Sequence, residues 1–389
     1  MRILLANEAR AGAGGVETYL ASIAEALAER GHEMALLVAN SASDDGPTRI
    51  VSADVWSVAD DGLQGAVDRA RRWRPDVCFA HNMRDLDVDE ALLRAAPVVK
   101  MMHGYFGTCV SGQKAHRVPA SKPCARVCGP ACLLLYAPRR CGALRPLAAL
   151  ASYRWAARQR SIFPRYQSMV VASAHMRNEY IAHGVPPDRV RAIPLFASRA
   201  HAASGEGAPV DVLFLGRMTH LKGPSLLLRA AAIASVQLGR RVSVVLAGDG
   251  PLRDKLRASA ERFAGVDVDF PGWVDAAART ALLGRAALLA VPSVWPEPFG
   301  LVGLEAAASG VPAVAFDVGG IREWLADGVN GRLIPAGDTA AMGTAIAALL
   351  RDAGERARLS TGARAVSARL SQAAHVSQLE AVLDGARAS

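Results

Sequence analysis

A chain of 389 residues exceeds what one hydrophobic core usually organises, so two domains are expected, and 51% hydrophobic residues exclude a disordered polymer. No apolar run approaches the ~20 residues that span a bilayer, and the start, MRILLANEAR, reaches Asn7 and Glu8 after an apolar run too short for a signal peptide, so a cytoplasmic location is expected. The net charge of +9 is uneven: Ala91 to Asn178 holds fourteen Lys and Arg and no Asp or Glu, and taking that +14 from +9 leaves −5 for the remainder. Such a patch suggests an anionic partner, whether nucleotide phosphates, a lipid pyrophosphate or an anionic membrane surface, and part of it reflects a general arginine bias.

Arg2 to Ala6 reads as a strand, and the loop Ala11 to Gly15 (AGAGG) leads into a helix with Val16, Tyr19, Leu20, Ile23 and Leu27 on one face. His32 to Val38 returns as a strand. A dinucleotide fingerprint fits poorly, because Glu17 occupies the third glycine position and Asp44 is the best acidic residue after the second strand. Asp76 to Ala80 and Val98 to Met102 are buried strands, and the second ends in His103-Gly104, where open parallel sheets bind ligands. Five of the six cysteines, Cys109, Cys124, Cys128, Cys132 and Cys141, then fall within 33 residues. A structural zinc held by Cys124, Cys128, Cys132 and Cys141 and a set of free thiols both stand as readings, the three-residue gaps being unlike the usual two-residue knuckle. Leu144 to Tyr166 alternates apolar residues with Arg145, Arg154, Arg158, Arg160 and Arg165, which suits a helix lying on an anionic membrane or an ordinary packed helix. Met169 to Ser173 is a further strand, and the small, polar stretch 199–209 reads as a linker.

The second half opens with a strand at Val210 to Leu215, followed by GRMTHLKG with Arg217 and Lys222. A strand at Val242 to Ala247 runs into Gly248-Asp249-Gly250-Pro251, with Pro251 suited to a helix's first position. Ala286 to Pro292 leads to Glu297, extended because Pro298 follows it, then to Gly300 and a helix over Leu301 to Ala308 bearing Glu305 on its second turn. The helix start offers unpaired N–H groups to an anion, and the carboxylates eight positions apart accept from hydroxyls, which describes a cradle for a sugar attached to phosphate.

In EPFGLVGLE and the GVPAVAFDVGGIREWLADGVNGRLIP after it, the chain resembles the family-four retaining glycosyltransferases, whose signature is Glu, seven residues, Glu. The resemblance implies an α/β chain of the GT-B fold, two doubly wound Rossmann-like domains facing a deep cleft. It implies that Glu297 and His103 contact the reacting sugar, Glu305 the ribose, and Arg217 and Lys222 the diphosphate. The amides of Phe299, Gly300 and Leu301 complete the cradle, the loop at Gly15 covers the donor sugar, and Gly250 and Val274 (in FPGWV) lie beside the nucleotide. Gly184-Val185 before Ile193-Pro194 resembles the close of the family's first domain, but LFAS replaces the usual Asn-Gly-Val-Asp, so contacts made there are in doubt.

The expected organisation is a domain over 1–198 with a Cys-rich basic insert at about 104–165, the linker, a nucleotide-sugar domain over 210–370, and a helix over 371–389 crossing back. The expected function is retaining transfer from a UDP- or GDP-linked sugar to a glycan or polyprenyl-linked acceptor in cell-surface polysaccharide or glycolipid synthesis. No divalent metal is expected in the chemistry and no nucleic acid as partner, and an anionic inner membrane face is a candidate surface. A sugar-nucleotide epimerase on the same fold, or a catalytically silent binding subunit, is the alternative.

Overall fold

Runs of branched apolar residues, uninterrupted by a helical period, become central parallel strands buried on both faces. Ile3, Leu4, Leu5 and Ala6 have no exposed surface, and neither do Ala35 to Val38 or Val77 to Ala80. The computed structural model describes residues 1–12, 15–41, 48–50, 52, 54–142, 145–197 and 207–387. Gly14, Asp44 and most of the expected linker lie outside them.

Two sheets result. The first has seven strands in the spatial order Val190–Ala192, Ser168–Val171, Val98–Met102, Val77–Ala80, Arg2–Asn7, Glu33–Val38, Asp54–Ser57. The second has six, in the order Val266–Gly272, Val242–Ala247, Val210–Leu215, Ala286–Val291, Ala313–Phe316, Gly331–Ile334. All their pairings are parallel: Ile3 stands between Met34 and Val77, and Val212 between Val244 and Leu288. Each sheet therefore starts at its middle, winds out to one edge, and returns to wind out to the other. That is the doubly wound order, and it puts the ligand crevice beyond the carboxyl ends of the first and fourth strands.

Between 104 and 165 the chain leaves this pattern. A short antiparallel pair, Ala115–His116 with Lys122–Pro123, precedes the helices Ala131–Tyr136 and Pro146–Ile162, and Val110, Cys128, Tyr136 and Ala149 make a satellite core. The insert is tied down by polar groups. Buried Lys114 pairs with Glu179, the Cys128 amide donates to His183 Nε2 at 2.8 Å, and Arg160 donates to the Gly107 carbonyl at 2.7 Å.

Two open readings narrow here and one expectation is corrected. The six cysteines are free thiols, and among the described residues no group of three His, Cys, Asp or Glu side chains is arranged to hold a metal, because Cys128, Cys132 and Cys141 pack into or against the satellite core instead. Helix Pro146–Ile162 is a packed helix: the Trp155 indole donates to the Arg84 carbonyl at 2.8 Å, Phe163 beyond it is buried, and Arg158 is paired with Asp87 and Glu90. Pro251 lies in a turn, and its helix begins at Arg253, because the Leu252 amide donates to the Met218 carbonyl at 3.0 Å rather than following a helical path. No helix among the described residues is long and apolar enough to cross a membrane.

The last helix, Gln372–Arg387, packs on the first sheet and on helix Gly15–Glu29. Its anchor is His375, whose Nδ1 lies 2.7 Å from the Pro194 carbonyl and whose Nε2 lies 2.8 Å from the Tyr19 hydroxyl. A carbonyl only accepts, so Nδ1 carries the proton and Nε2 accepts from Tyr19, which requires a neutral ring. Burial accordingly lowers the His375 pKa from 6.5 to about 4. The unfolded chain takes up this proton near pH 6.5 and the folded chain only near 4, so stability falls as pH drops through that window. Denaturant titrations at pH 7 and pH 5 should show wild type losing about 2 kcal/mol more than His375→Gln over that interval.

Candidate active site

The crevice of the second sheet is bordered by the loops that leave Leu215 and Val291. The first carries Gly216, Arg217 and Lys222, and the second runs from Pro292 to Gly300. Arg217 is exposed, and with Thr219, Lys222, Pro251 and Trp295 it lines a cavity of about 340 Å³ completed by Gln113 and Arg117 of the insert. Both halves of the chain thus contribute walls. The turn at Gly250 is held against this loop by the Met218 amide, which donates to the Asp249 carbonyl at 2.7 Å.

Glu297 is 3% exposed, and its carboxylate accepts from Lys222 Nζ through both oxygens, at 2.7 and 2.9 Å, and from the Ser293 hydroxyl. The Lys222 ammonium also lies 5.2 Å from the Trp295 ring centre. Lys222 therefore faces a carboxylate, an aromatic face and the cavity at once. The sequence motifs do not point to Ser293 or Trp295; a serine four residues before the first glutamate is the signal that could have done so.

Helix Leu301–Ala308 begins at Gly300, whose φ of +91° is left-handed, and no side chain caps its first amides. Its start is fixed from behind by Trp324, whose indole donates to the Phe299 carbonyl at 2.8 Å. Leu301 is half-buried, and Phe299 is buried. Glu305 sits one turn in, with Arg279 at 3.4 Å, and its Oε2 is buried without a hydrogen-bond partner. Burial raises its pKa and the Arg279 charge opposes that rise. An unanswered carboxylate oxygen at this depth suits a hydroxyl donor.

The strand after this helix brings Gly319 and Gly320 against the Glu297 loop. The Gly320 amide donates to the Glu297 carbonyl at 2.7 Å, and at Gly319, where φ is +58°, a Cβ would stand 2.3 Å from that same carbonyl oxygen. These glycines hold the loop by backbone alone.

In the first half, His103 follows Met102 and its Nε2 lies 2.9 Å from His81 Nδ1. The two rings stack, Tyr19 meets His103 edge-on, and burial first and the Lys100 charge second lower the His103 pKa from 6.5 to about 3. The imidazole is neutral at physiological pH. Asn7, Glu17, His81, Phe106, Trp155 and others line a second cavity of about 260 Å³, beside the start of helix Gly15–Glu29. Gly15 is exposed at that start, whereas Val274 is half-buried just before helix Ala276–Arg285. The structure sets Arg217 and Lys222 on one cavity and bonds Lys222 to Glu297, while His103, Gly15, Glu305 and Val274 do not line that cavity.

Residues 13–198 match Glycosyltransferase Family 4, and residues 199–366 match Glycosyl transferases group 1. The phosphatidyl-myo-inositol mannosyltransferase of Mycobacterium leprae is 30% identical over 91% of this chain and 88% of its own. The D-inositol 3-phosphate glycosyltransferase of Acidothermus cellulolyticus is 36% identical over 46% of this chain, which spans 44% of that relative. Among solved structures, Anabaena Alr3699/HepE in complex with UDP aligns with a TM-score of 0.70 at 21% identity, covering 99% of this chain and 100% of that one.

The Gly319 contact makes a test that needs no substrate. Gly319→Ala places a methyl in a left-handed position against backbone that cannot yield, so it should cost about 2 kcal/mol or more and lower the melting temperature by ~5 °C, read by calorimetry against Gly337→Ala, where no atom crowds the added carbon.

Proposed function

We propose that this chain, which belongs to the glycosyltransferases of the GT-B fold, moves a sugar from a UDP- or GDP-linked donor to a glycan or lipid-linked acceptor with retention of anomeric configuration. The observation that carries the reading is an exposed arginine and a lysine in one cavity walled by both halves of the chain, the lysine held there by a buried carboxylate. Arg217 and Lys222 answer the charge that grows on the departing nucleoside diphosphate, a task that preorganised cations perform where a divalent metal otherwise would. Lys222 is poised for it because its partner Glu297 fixes the ammonium on the cavity wall.

Glu297 orients the sugar through its hydroxyls, and the free oxygen of Glu305 accepts from the ribose. The amides of Phe299 to Leu301 face the phosphates at a helix start, where the dipole favours an anion. Neutral His103 donates to the reacting sugar from the opposite wall. In this reading the leaving phosphate oxygen takes the acceptor's proton as the new glycosidic bond forms on the face the phosphate vacates. The acceptor enters from the first half, near the cavity at Glu17, Phe106 and Trp155. A relative named for phosphatidyl-myo-inositol supports a lipid-borne acceptor in glycolipid synthesis.

Arg217→Ala and Lys222→Ala should each lower turnover by ~10²-fold or more, the scale for one preorganised charge contact. Full activity in Arg217→Ala would remove the diphosphate assignment. Transfer should also survive EDTA, measured as nucleoside diphosphate release from a panel of UDP- and GDP-sugars; an absolute need for added Mg²⁺ or Mn²⁺ would contradict the role given to the two cations. Proton NMR of the product should show the donor's anomeric configuration, and an inverted product would end the retaining mechanism.

A further inference from the structure

The bond between Lys222 and Glu297 draws on the same protons and lone pairs as the tasks given to those two residues. An ammonium has three protons, and two of those of Lys222 go to the two Glu297 oxygens, at 2.7 and 2.9 Å. Glu297 Oε1 also accepts from the hydroxyl of Ser293, a residue that is 1% exposed and does not line the cavity at Arg217. The cation that answers a diphosphate is thus engaged by a carboxylate, and the carboxylate that accepts from sugar hydroxyls is engaged by that cation.

The two partners are held unequally. Glu297 is fixed by its backbone, whose carbonyl takes the Gly320 amide at 2.7 Å, and its side chain is 4% exposed. Lys222 keeps 30% of its side chain exposed on the cavity wall, where its charge lies 5.2 Å from the Trp295 ring centre at the end of a flexible four-carbon stem. The lysine is therefore the partner that turns toward the cavity. Once it turns, Glu297 keeps Ser293 alone, and a carboxylate at that depth with a single donor draws the ammonium back. A sugar nucleotide offsets this pull, because its sugar hydroxyls donate to the freed oxygens. A bare nucleoside diphosphate brings the phosphates without that sugar.

We propose that Glu297 competes with the diphosphate for Lys222, so that the product diphosphate is held loosely and leaves, while the intact donor engages both groups. Ser293 is the positioning residue of this exchange. Its hydroxyl keeps Glu297 aimed and shares the carboxylate's charge, which loosens the hold of Glu297 on the ammonium. The inference rests on the diphosphate reading given above and adds to it a cause of product release, a step that sets turnover in many enzymes.

The test is calorimetric titration of the full chain with UDP and with GDP, which needs neither donor sugar nor acceptor. Glu297→Gln keeps the shape and removes the charge, so it should bind the nucleotide that wild type binds about tenfold more tightly, the scale of one charge-assisted hydrogen bond released. In a Lys222→Ala background the same substitution should give no such gain. Ser293→Ala leaves Lys222 as the carboxylate's remaining partner and should weaken nucleotide binding about threefold, an effect that should vanish beside Glu297→Gln. Opposite signs at two buried neighbours cannot come from damage to the fold, which would weaken both. Unchanged or weaker binding in Glu297→Gln would overturn the proposal, and so would a gain that persists beside Lys222→Ala, which is plain repulsion between carboxylate and phosphate. No loss in Ser293→Ala, or a loss that persists beside Glu297→Gln, would end the role given to Ser293. Binding of neither nucleotide, or binding that Lys222→Ala leaves undiminished, would instead remove the diphosphate reading, and the proposal with it.

Discussion

A carboxylate buried to 3% exposure is costly by several kcal/mol unless it is fully answered, and the bond between Lys222 and Glu297 is that answer. It also joins two loops that are 75 residues apart in sequence and adjacent only because the second sheet places its first and fourth strands side by side. The side chain of Glu297 is held from one direction by Lys222 and Ser293. Its backbone is held from another by Gly319 and Gly320. A residue fixed at both ends by different elements keeps its direction, which is the condition for acting on a small ring with several similar hydroxyls.

Much of this was legible before any coordinates. Strands such as Ile3 to Ala6 announce themselves by length and branching, and Glu-Pro followed by glycine and an apolar run predicts the loop and helix at Leu301. What could not be read is contact between segments. Nothing in GGIRE says that its glycines close on Glu297, and nothing in a lone His103 says that its ring will stack on His81, because both facts depend on which strands become neighbours. The turn at Pro251 shows the same limit on a smaller scale: proline permits a helix start there, and a tertiary hydrogen bond to Met218 moves it.

Charge was the feature that sequence described least faithfully. A window without acids from Ala91 to Asn178 suggests an uninterrupted positive surface, yet the acids that neutralise it stand just outside its borders. Asp87, Asp89 and Glu90 take Arg158, Lys100 and Arg165, and Glu179 takes Lys114. Lys100 and Asp89 are wholly buried together under the first sheet. What remains positive is smaller than a count along the chain implies.

The chain passes between its two halves twice, once between Ala197 and Gly207 and again near Leu370, where it returns so that Gln372–Arg387 can lie on the first sheet with His375 locked to Tyr19. Two bodies joined by a single thread can twist and swing in any sense. Joined at two points, they have fewer ways to move apart. The Ala174 amide, which donates to Glu323 at 2.6 Å, is a further tie between the halves that wall the cavity between Arg117 and Arg217. Lengthening either crossing would leave every residue of the site in place and still let the two walls lose their registration.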